Sequence, residues 1–211
     1  ARAHAPAARV LLVSSGEIYG AAEEGVAFDE SAPLAPGTPY ARAKAAADRL
    51  GAVFAARGLD VVRARPFNHT GAGQGDAFVA SSFARQLAEI EAGRREPVLA
   101  VGNLAAVRDF LDVADVVEAY RLLLERPVPA GAYNVASGAG VSIGDLLGRL
   151  LAASTAKPEV REDPARWRPA NAAVGDAGRL RRATGWAPRI PLEDTLARLL
   201  DDWRARLSPS P

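Results

Sequence analysis

Residues 10–20, Val-Leu-Leu-Val-Ser-Ser-Gly-Glu-Ile-Tyr-Gly, start with four aliphatic residues and become small and polar within the next three. An unbroken apolar run of this kind is the pattern of a strand buried on both faces of a parallel sheet, and it is read here as a strand over Val10–Ser15. Downstream, Thr38-Pro39 pairs a capping hydroxyl with a proline in the first helical turn. The alanine-rich stretch Tyr40–Arg57 then predicts a helix stopped by Gly58. Leu59–Arg65 repeats the buried-strand pattern around Val61 and Val62. Strand, helix, strand in this order requires a crossover and gives an α/β fold with a parallel sheet.

The same alternation continues. The spacing predicts helices over Phe78–Ala92, Val113–Glu125, Ser142–Ala153 (with Ser142 as its cap) and Leu192–Leu207. Strands are expected at Pro97–Val101 and Ala132–Val135, and a short helix at Leu180–Thr184 ends at Gly185. Between Pro66 and Gly75 lies a loop with three glycines. From about Pro158 the pattern becomes irregular, which predicts a small substrate-facing region. Two regions are therefore expected: 1–66, carrying the catalytic residues, and 67–211, mixing substrate-binding segments with elements that return to the sheet.

Composition excludes several classes. With 26 basic and 25 acidic side chains the net charge is +1, so there is no long-range attraction to nucleic acid or to an anionic membrane. The absence of cysteine removes disulfide scaffolds, zinc–thiolate sites and iron–sulfur clusters. No apolar run reaches the length of a membrane span and no secretory leader pattern is evident, so a cytoplasmic location is expected. Lysine is almost absent: Lys44 and Lys157 are the two among 26 basic residues. A lysine that survives such a bias is a candidate for a role only lysine can fill.

Tyr40 and Lys44 stand at i and i+4, on one face of the predicted helix. A tyrosine in water ionises near pH 10 and is a poor acid or base at neutrality, whereas a fixed cation beside it favours the phenolate. Carbonyl reduction needs such a pair. Ser15 ends the first strand, where parallel sheets place their ligands, and its hydroxyl suits an oxygen that changes from ketone to alcohol. Glu17 adds a carboxylate two residues on. Gly71-Ala72-Gly73-Gln74-Gly75 follows a strand, yet no acidic residue ends a strand about 20 residues later, as a ribose-binding turn would require. It reads as an active-site loop.

Ser15, Tyr40 and Lys44 together resemble the Ser/Thr–Tyr–Lys triad of the extended short-chain dehydrogenase/reductase (NAD-dependent epimerase/dehydratase) family. The segments RPFNHTG (65–71), GDAFV (75–79), VGN (101–103), VRDFLDV (107–113), AYNVASG (132–138), DPAR (163–166) and TGWAP (184–188) resemble its GDP-sugar branch and run in order along nearly the whole chain. The branch holds a GDP-mannose 4,6-dehydratase and a reductase that turns its 4-keto-6-deoxy product into GDP-rhamnose; the wording RPFNHTGAGQ and VRDFLDVADV is nearer the reductase.

The resemblance implies a Rossmann-like sheet, a cytoplasmic NADP- or NAD-dependent oxidoreductase, a GDP-sugar substrate and a homodimer. It implies catalytic roles for Ser15, Glu17, Tyr40 and Lys44, with Tyr40, Lys44, Phe67 and His69 toward the cofactor. Asn68, Phe78, Val79, Arg108, Arg168 and Asn171 would hold the sugar nucleotide. Two positions depart from the family pattern: Asn171 stands where a carboxylate is usual, and Gln74 where the dehydratases place an arginine on the NADP phosphate. Family members also carry GxxGxxG and about four strands ahead of the segment that opens this chain. With no methionine in the sequence, a processed, trimmed or incomplete start is expected. The 211 residues alone are then expected to bind NADH and NADPH weakly and to self-associate. A non-catalytic fragment is the third reading, after reductase and dehydratase or related epimerase.

Overall fold

The computed structural model describes residues 8–22 and 25–208. In chain order the elements begin with β1 (Val10–Val13), a 3-10 turn (Gly16–Tyr19), β2 (Ala27–Phe28), α1 (Pro39–Ala56), β3 (Val61–Pro66), β4 (Asn68–Thr70), α2 (Val79–Glu91) and β5 (Val98–Val101). They continue with β6 (Val107–Asp112), α3 (Val113–Glu125), β7 (Gly131–Val135), β8 (Gly140–Ser142) and α4 (Ile143–Ala153). The last are β9 (Glu159–Glu162), a 3-10 turn (Pro164–Arg166), β10 (Ala172–Gly175), α5 (Gly178–Thr184) and α6 (Leu192–Leu207).

The chain divides into two compact units that it visits in turn. One comprises Ala1–His69, Asp109–Gly140 and Ala172–Arg189; the other Thr70–Arg108, Val141–Asn171 and Ile190–Pro211. The first passage from one unit to the other follows His69, and the remaining chain is shared between the units.

The first unit is built on a parallel sheet in the order β1-β3-β7. The two strands read from the sequence pair directly, with Val10 opposite Val61 and Val13 opposite Ala64, but only β3 is buried as expected: β1 is half-buried and Val13 is 40% exposed. Side chains alternate across β3 as the pleat requires. Val62 and Ala64 join a core with Val116, Ala119 and Leu123 of α3, while Arg63 and Arg65 reach Asp48 of α1. Thr38 caps α1 by accepting from the Ala41 amide at 3.0 Å, with Pro39 in the first turn, as the sequence predicts. Ser14 and Ser15 are not part of the expected strand. Ser15 Oγ instead accepts from the Glu17 amide and caps the 3-10 turn, ending β1 at Val13.

β10 runs parallel to β2, and both were missed in the sequence, as were β6, β8 and β9; β4 falls in the stretch expected to be loop. These strands are two to six residues long, too short for an apolar period to register. Gly175 in β10 permits a close approach: a Cβ there would lie 2.4 Å from the Phe67 ring and 2.6 Å from Ala136 Cβ. Only glycine fits without displacing Phe67, which is itself core.

In the second unit α2, α4 and α6 pack together through Leu87, Leu146, Leu150, Leu196, Leu199 and Leu200, all fully buried. Ser142 caps α4 through the Asp145 amide, as expected. β5 and β9 form a separate parallel pair. Trp186 is buried and Tyr120 packs on the first unit's core; Trp203 is only partly buried and donates its indole N–H to Ser81 Oγ at 2.8 Å. Among the described residues no helix is long and apolar enough to cross a membrane.

Candidate active site

The first unit holds Ser15, Glu17, Tyr40 and Lys44, the residues for which the sequence predicts a catalytic role. Lys44 Nζ donates to the Val13 carbonyl at 3.0 Å, fixing α1 to the carboxyl end of β1 two residues before Ser15. The same ammonium lies 5.8 Å from the centre of the Tyr40 ring, so the i and i+4 pairing holds in space. Tyr40 is 53% exposed. Burial pushes the Tyr120 phenol nearby up to about 12, and repulsion from Tyr40 adds to it. Ser15 is buried; as the cap it uses a lone pair and keeps its O–H for another acceptor. Glu17 is exposed on the turn that Ser15 starts.

Phe67, predicted to face the cofactor, belongs to the core. It is 5% exposed, stacks on Tyr19 with ring centres 6.1 Å apart and presses on Gly16 and Gly175. Its side chain is committed to packing, because the glycines opposite it leave room for the ring. His69, also predicted toward the cofactor, is partly buried, and its Nδ1 donates to the Phe67 carbonyl at 3.0 Å. Asn68 is exposed on β4 between them.

Beneath the Tyr40–Lys44 face lies a buried network that the sequence reading did not single out. Asp48 accepts from Arg65 Nε at 2.9 Å, Arg65 Nη2 at 2.8 Å and Arg63 Nη1 at 2.7 Å. Arg65 also donates to the Tyr19 hydroxyl at 2.7 Å, and Tyr19 donates to Asn134 Oδ1 at 2.7 Å. Burial alone would raise the Asp48 carboxyl, but the hydrogen bonds and charges of the two arginines outweigh it and hold it below the usual range. Burial likewise raises the Tyr19 phenol against the pull of Arg65, which keeps it a neutral donor and acceptor. The signal for this network was two arginines inside an otherwise apolar strand, paired with an aspartate eight residues after Tyr40.

The second unit gathers the other predicted residues. Arg108 Nη1 donates to the Asn171 carbonyl at 2.9 Å, and the Asn103 amide donates to the Arg168 carbonyl at 3.1 Å. Thus 103–108 and 168–171 lie side by side, with Arg168 and Asn171 exposed. Phe78 precedes α2 and is 60% exposed; Val79 starts that helix. The glycine-rich loop is tied to α6: the Gly73 amide donates to Asp202 Oδ2 at 3.0 Å, and Gln74 Oε1 accepts from Thr70 Oγ1 at 2.6 Å.

Comparison with known proteins gives this arrangement a family. A model of the GDP-mannose 4,6 dehydratase family matches residues 1–199. The GDP-6-deoxy-D-mannose reductase of Pseudomonas aeruginosa is 40% identical over 201 residues, covering 93% of this chain and 66% of that protein. GDP-mannose 4,6 dehydratase 2 of Arabidopsis thaliana is 30% identical over 178 residues, covering 82% of this chain and 47% of its own length. The chain thus spans about half to two thirds of these relatives. Among solved structures, RMD from Pseudomonas aeruginosa complexed with NADPH superposes with a TM-score of 0.87 at 38% identity, over 93% of this chain and 67% of that one. The UDP-glucose 4-epimerase of Thermus thermophilus in complex with NAD follows at 0.82 and 30%, over 96% of this chain and 66% of that one. Matched along almost its whole length in sequence and in backbone, the chain belongs to the GDP-mannose 4,6 dehydratase family.

Proposed function

We propose that this protein reduces the C4 ketone of GDP-4-keto-6-deoxy-mannose to GDP-rhamnose with NADPH or NADH. The observation that carries the reading is the 40% identity to a GDP-6-deoxy-D-mannose reductase across 93% of the chain, against 30% across 82% for a GDP-mannose 4,6 dehydratase. The nicotinamide end of the cofactor suits the chemistry of the first unit. After its bond to Val13, Lys44 retains two N–H donors for ribose hydroxyls, and Tyr40 offers an exposed phenol on the same face. When bound, the cofactor supplies the hydride that C4 receives.

The remaining work belongs to the chain's own side chains. Tyr40 gives its hydroxyl proton to the C4 oxygen, and the Lys44 charge stabilises the phenolate left behind. Ser15, held by its bond to the Glu17 amide, donates its O–H to that same oxygen and orients it. Arg108 and Arg168 supply guanidinium groups for the diphosphate.

Glu17 favours a second reading. Glu17 is an exposed carboxylate two residues after Ser15, and in a 4,6-dehydratase a carboxylate takes the C5 proton. One pair of assays separates the two. The reductase consumes NADPH when given the 4-keto-6-deoxy sugar nucleotide and leaves GDP-mannose unchanged. The dehydratase releases a 4-keto product from GDP-mannose with no added reductant. Formation of that product would reverse the assignment.

A further inference from the structure

Among the described residues of the second unit two aromatic side chains are left in the open, Phe78 at 60% exposure and Trp167 at 50%. They are joined by a short chain of contacts. Arg166 Nη1 donates to Ser82 Oγ at 3.2 Å, and the Ser82 amide donates to the Phe78 carbonyl at 2.7 Å. Trp167 follows Arg166 directly. The segment carrying it is seated firmly: a Cβ on Gly102 would lie 2.5 Å from the Arg166 carbonyl, so that backbone rests against 101–103. An indole held half in water on a seated loop leaves apolar surface hydrated, and a partner that covers it gains by removing that surface from water.

The charges beside it indicate what that is. Arg166 is matched by Asp163 at 3.2 Å. Arg168 differs: among the described residues its guanidinium meets only backbone carbonyls, those of Trp167 and Ala165. Its positive charge therefore stands uncompensated next to the exposed indole. A flat apolar face beside an unmatched guanidinium is complementary to a nucleoside diphosphate, whose base has a π-face and whose phosphates are anionic.

We infer that Trp167 is the platform on which the base of the sugar nucleotide stacks, with Arg168 holding the diphosphate and Phe78 bordering the same surface. The inference rests on the sugar-nucleotide function proposed above and adds a residue that the motif reading passed over. Stacking is tolerant of base identity, so Trp167 supplies affinity for the nucleotide rather than choice of base.

The test is calorimetric titration of the full chain with GDP, UDP and inorganic pyrophosphate, with tryptophan emission followed in parallel. Trp167→Ala should weaken GDP binding by about ten- to a hundred-fold and leave pyrophosphate binding unchanged, the range expected for loss of one base–aromatic stack. Trp167→Phe should keep GDP affinity within a few-fold while losing the emission change that GDP causes in the wild type. Unchanged GDP affinity in Trp167→Ala would overturn the platform and leave the sugar-nucleotide reading standing. Equal losses for GDP and pyrophosphate would also overturn it, since the residue would then be holding the loop. If the wild-type chain binds no nucleoside diphosphate, the functional reading itself falls.

Discussion

Asp48 holds Arg65 by two parallel bonds, one turn along α1 from Lys44, with Nε to Oδ2 at 2.9 Å and Nη2 to Oδ1 at 2.8 Å. Both side chains are at most 6% exposed. The pair ties the helix that carries Tyr40 and Lys44 to β3, and through Tyr19 to the turn that carries Ser15 and Glu17. It gives the two segments that carry the candidate site residues a common anchor.

Removing one partner of such a pair leaves a buried charge uncompensated. Asp48→Asn should therefore lower the unfolding free energy by about 3–5 kcal/mol, read from denaturant titration. Tyr19→Phe, which keeps the stacked ring and loses only the hydroxyl, should cost about 1–3 kcal/mol. A denaturation midpoint for Asp48→Asn equal to wild type would show that the network carries no stability.

The arrangement of Ser15, Tyr40 and Lys44 was legible because it obeys local rules. An i, i+4 pair on a capped helix and a hydroxyl at a strand end are both set by spacing along the chain. What the Phe67 ring packs against was not legible, for the opposite reason. Whether a ring faces a ligand or the core depends on what lies opposite, and Gly16 and Gly175 are far from it in sequence. Similarly, Arg63 and Arg65 declare themselves only once Asp48 is folded over β3. Trp167 lay between two motif segments and matched neither, so only its exposure in the fold brought it forward.

Lys44 should be needed as lysine. Its ammonium makes one bond to the Val13 carbonyl and still faces Tyr40, a placement that a compact charge with three rotatable donors can satisfy. A planar guanidinium is longer and points its donors in one fixed fork. Lys44→Arg should lower turnover on the order of 10²-fold, the scale of a lost acid–base element, with the fold intact by circular dichroism. Near-wild-type turnover would remove Lys44 from the assignment.

Glu17 should distinguish the two chemistries. Reduction at C4 removes nothing from C5, so Glu17→Gln should leave ketone reduction largely intact. Its amide N–H, which binds Ser15 Oγ, is unaffected by the change, and the cap survives. Were the protein a dehydratase, elimination would fall by about 10²–10⁴-fold while hydride exchange at C4 persisted. Measuring both half-reactions on one preparation of the variant decides between them.

Glu91 links the ends of three segments in the second unit. Its carboxylate accepts from Arg204 Nε at 2.7 Å and Nη2 at 2.8 Å, from Ser154 Oγ at 2.6 Å and from the Thr155 amide at 2.8 Å. The Arg204 bond is the largest influence, and with the Ser154 and Thr155 bonds it brings the carboxyl from 4.5 down to about 2, against the opposing effect of burial. A carboxyl that ionises more readily folded than unfolded stabilises the fold above the unfolded value and loses that contribution as it protonates. The stabilisation is therefore complete above about pH 4.5 and disappears as pH falls toward about 2. At pH 7, Glu91→Gln should cost roughly 1–2 kcal/mol, discounted because Arg204 is 35% exposed, and should lower the melting temperature by several degrees. Across the acid range the melting temperatures of wild type and variant should converge, because the wild type alone loses the charge. A gap that stayed constant from neutral pH to pH 3 would mean that the Glu91 charge contributes nothing and that the amide fails for steric reasons.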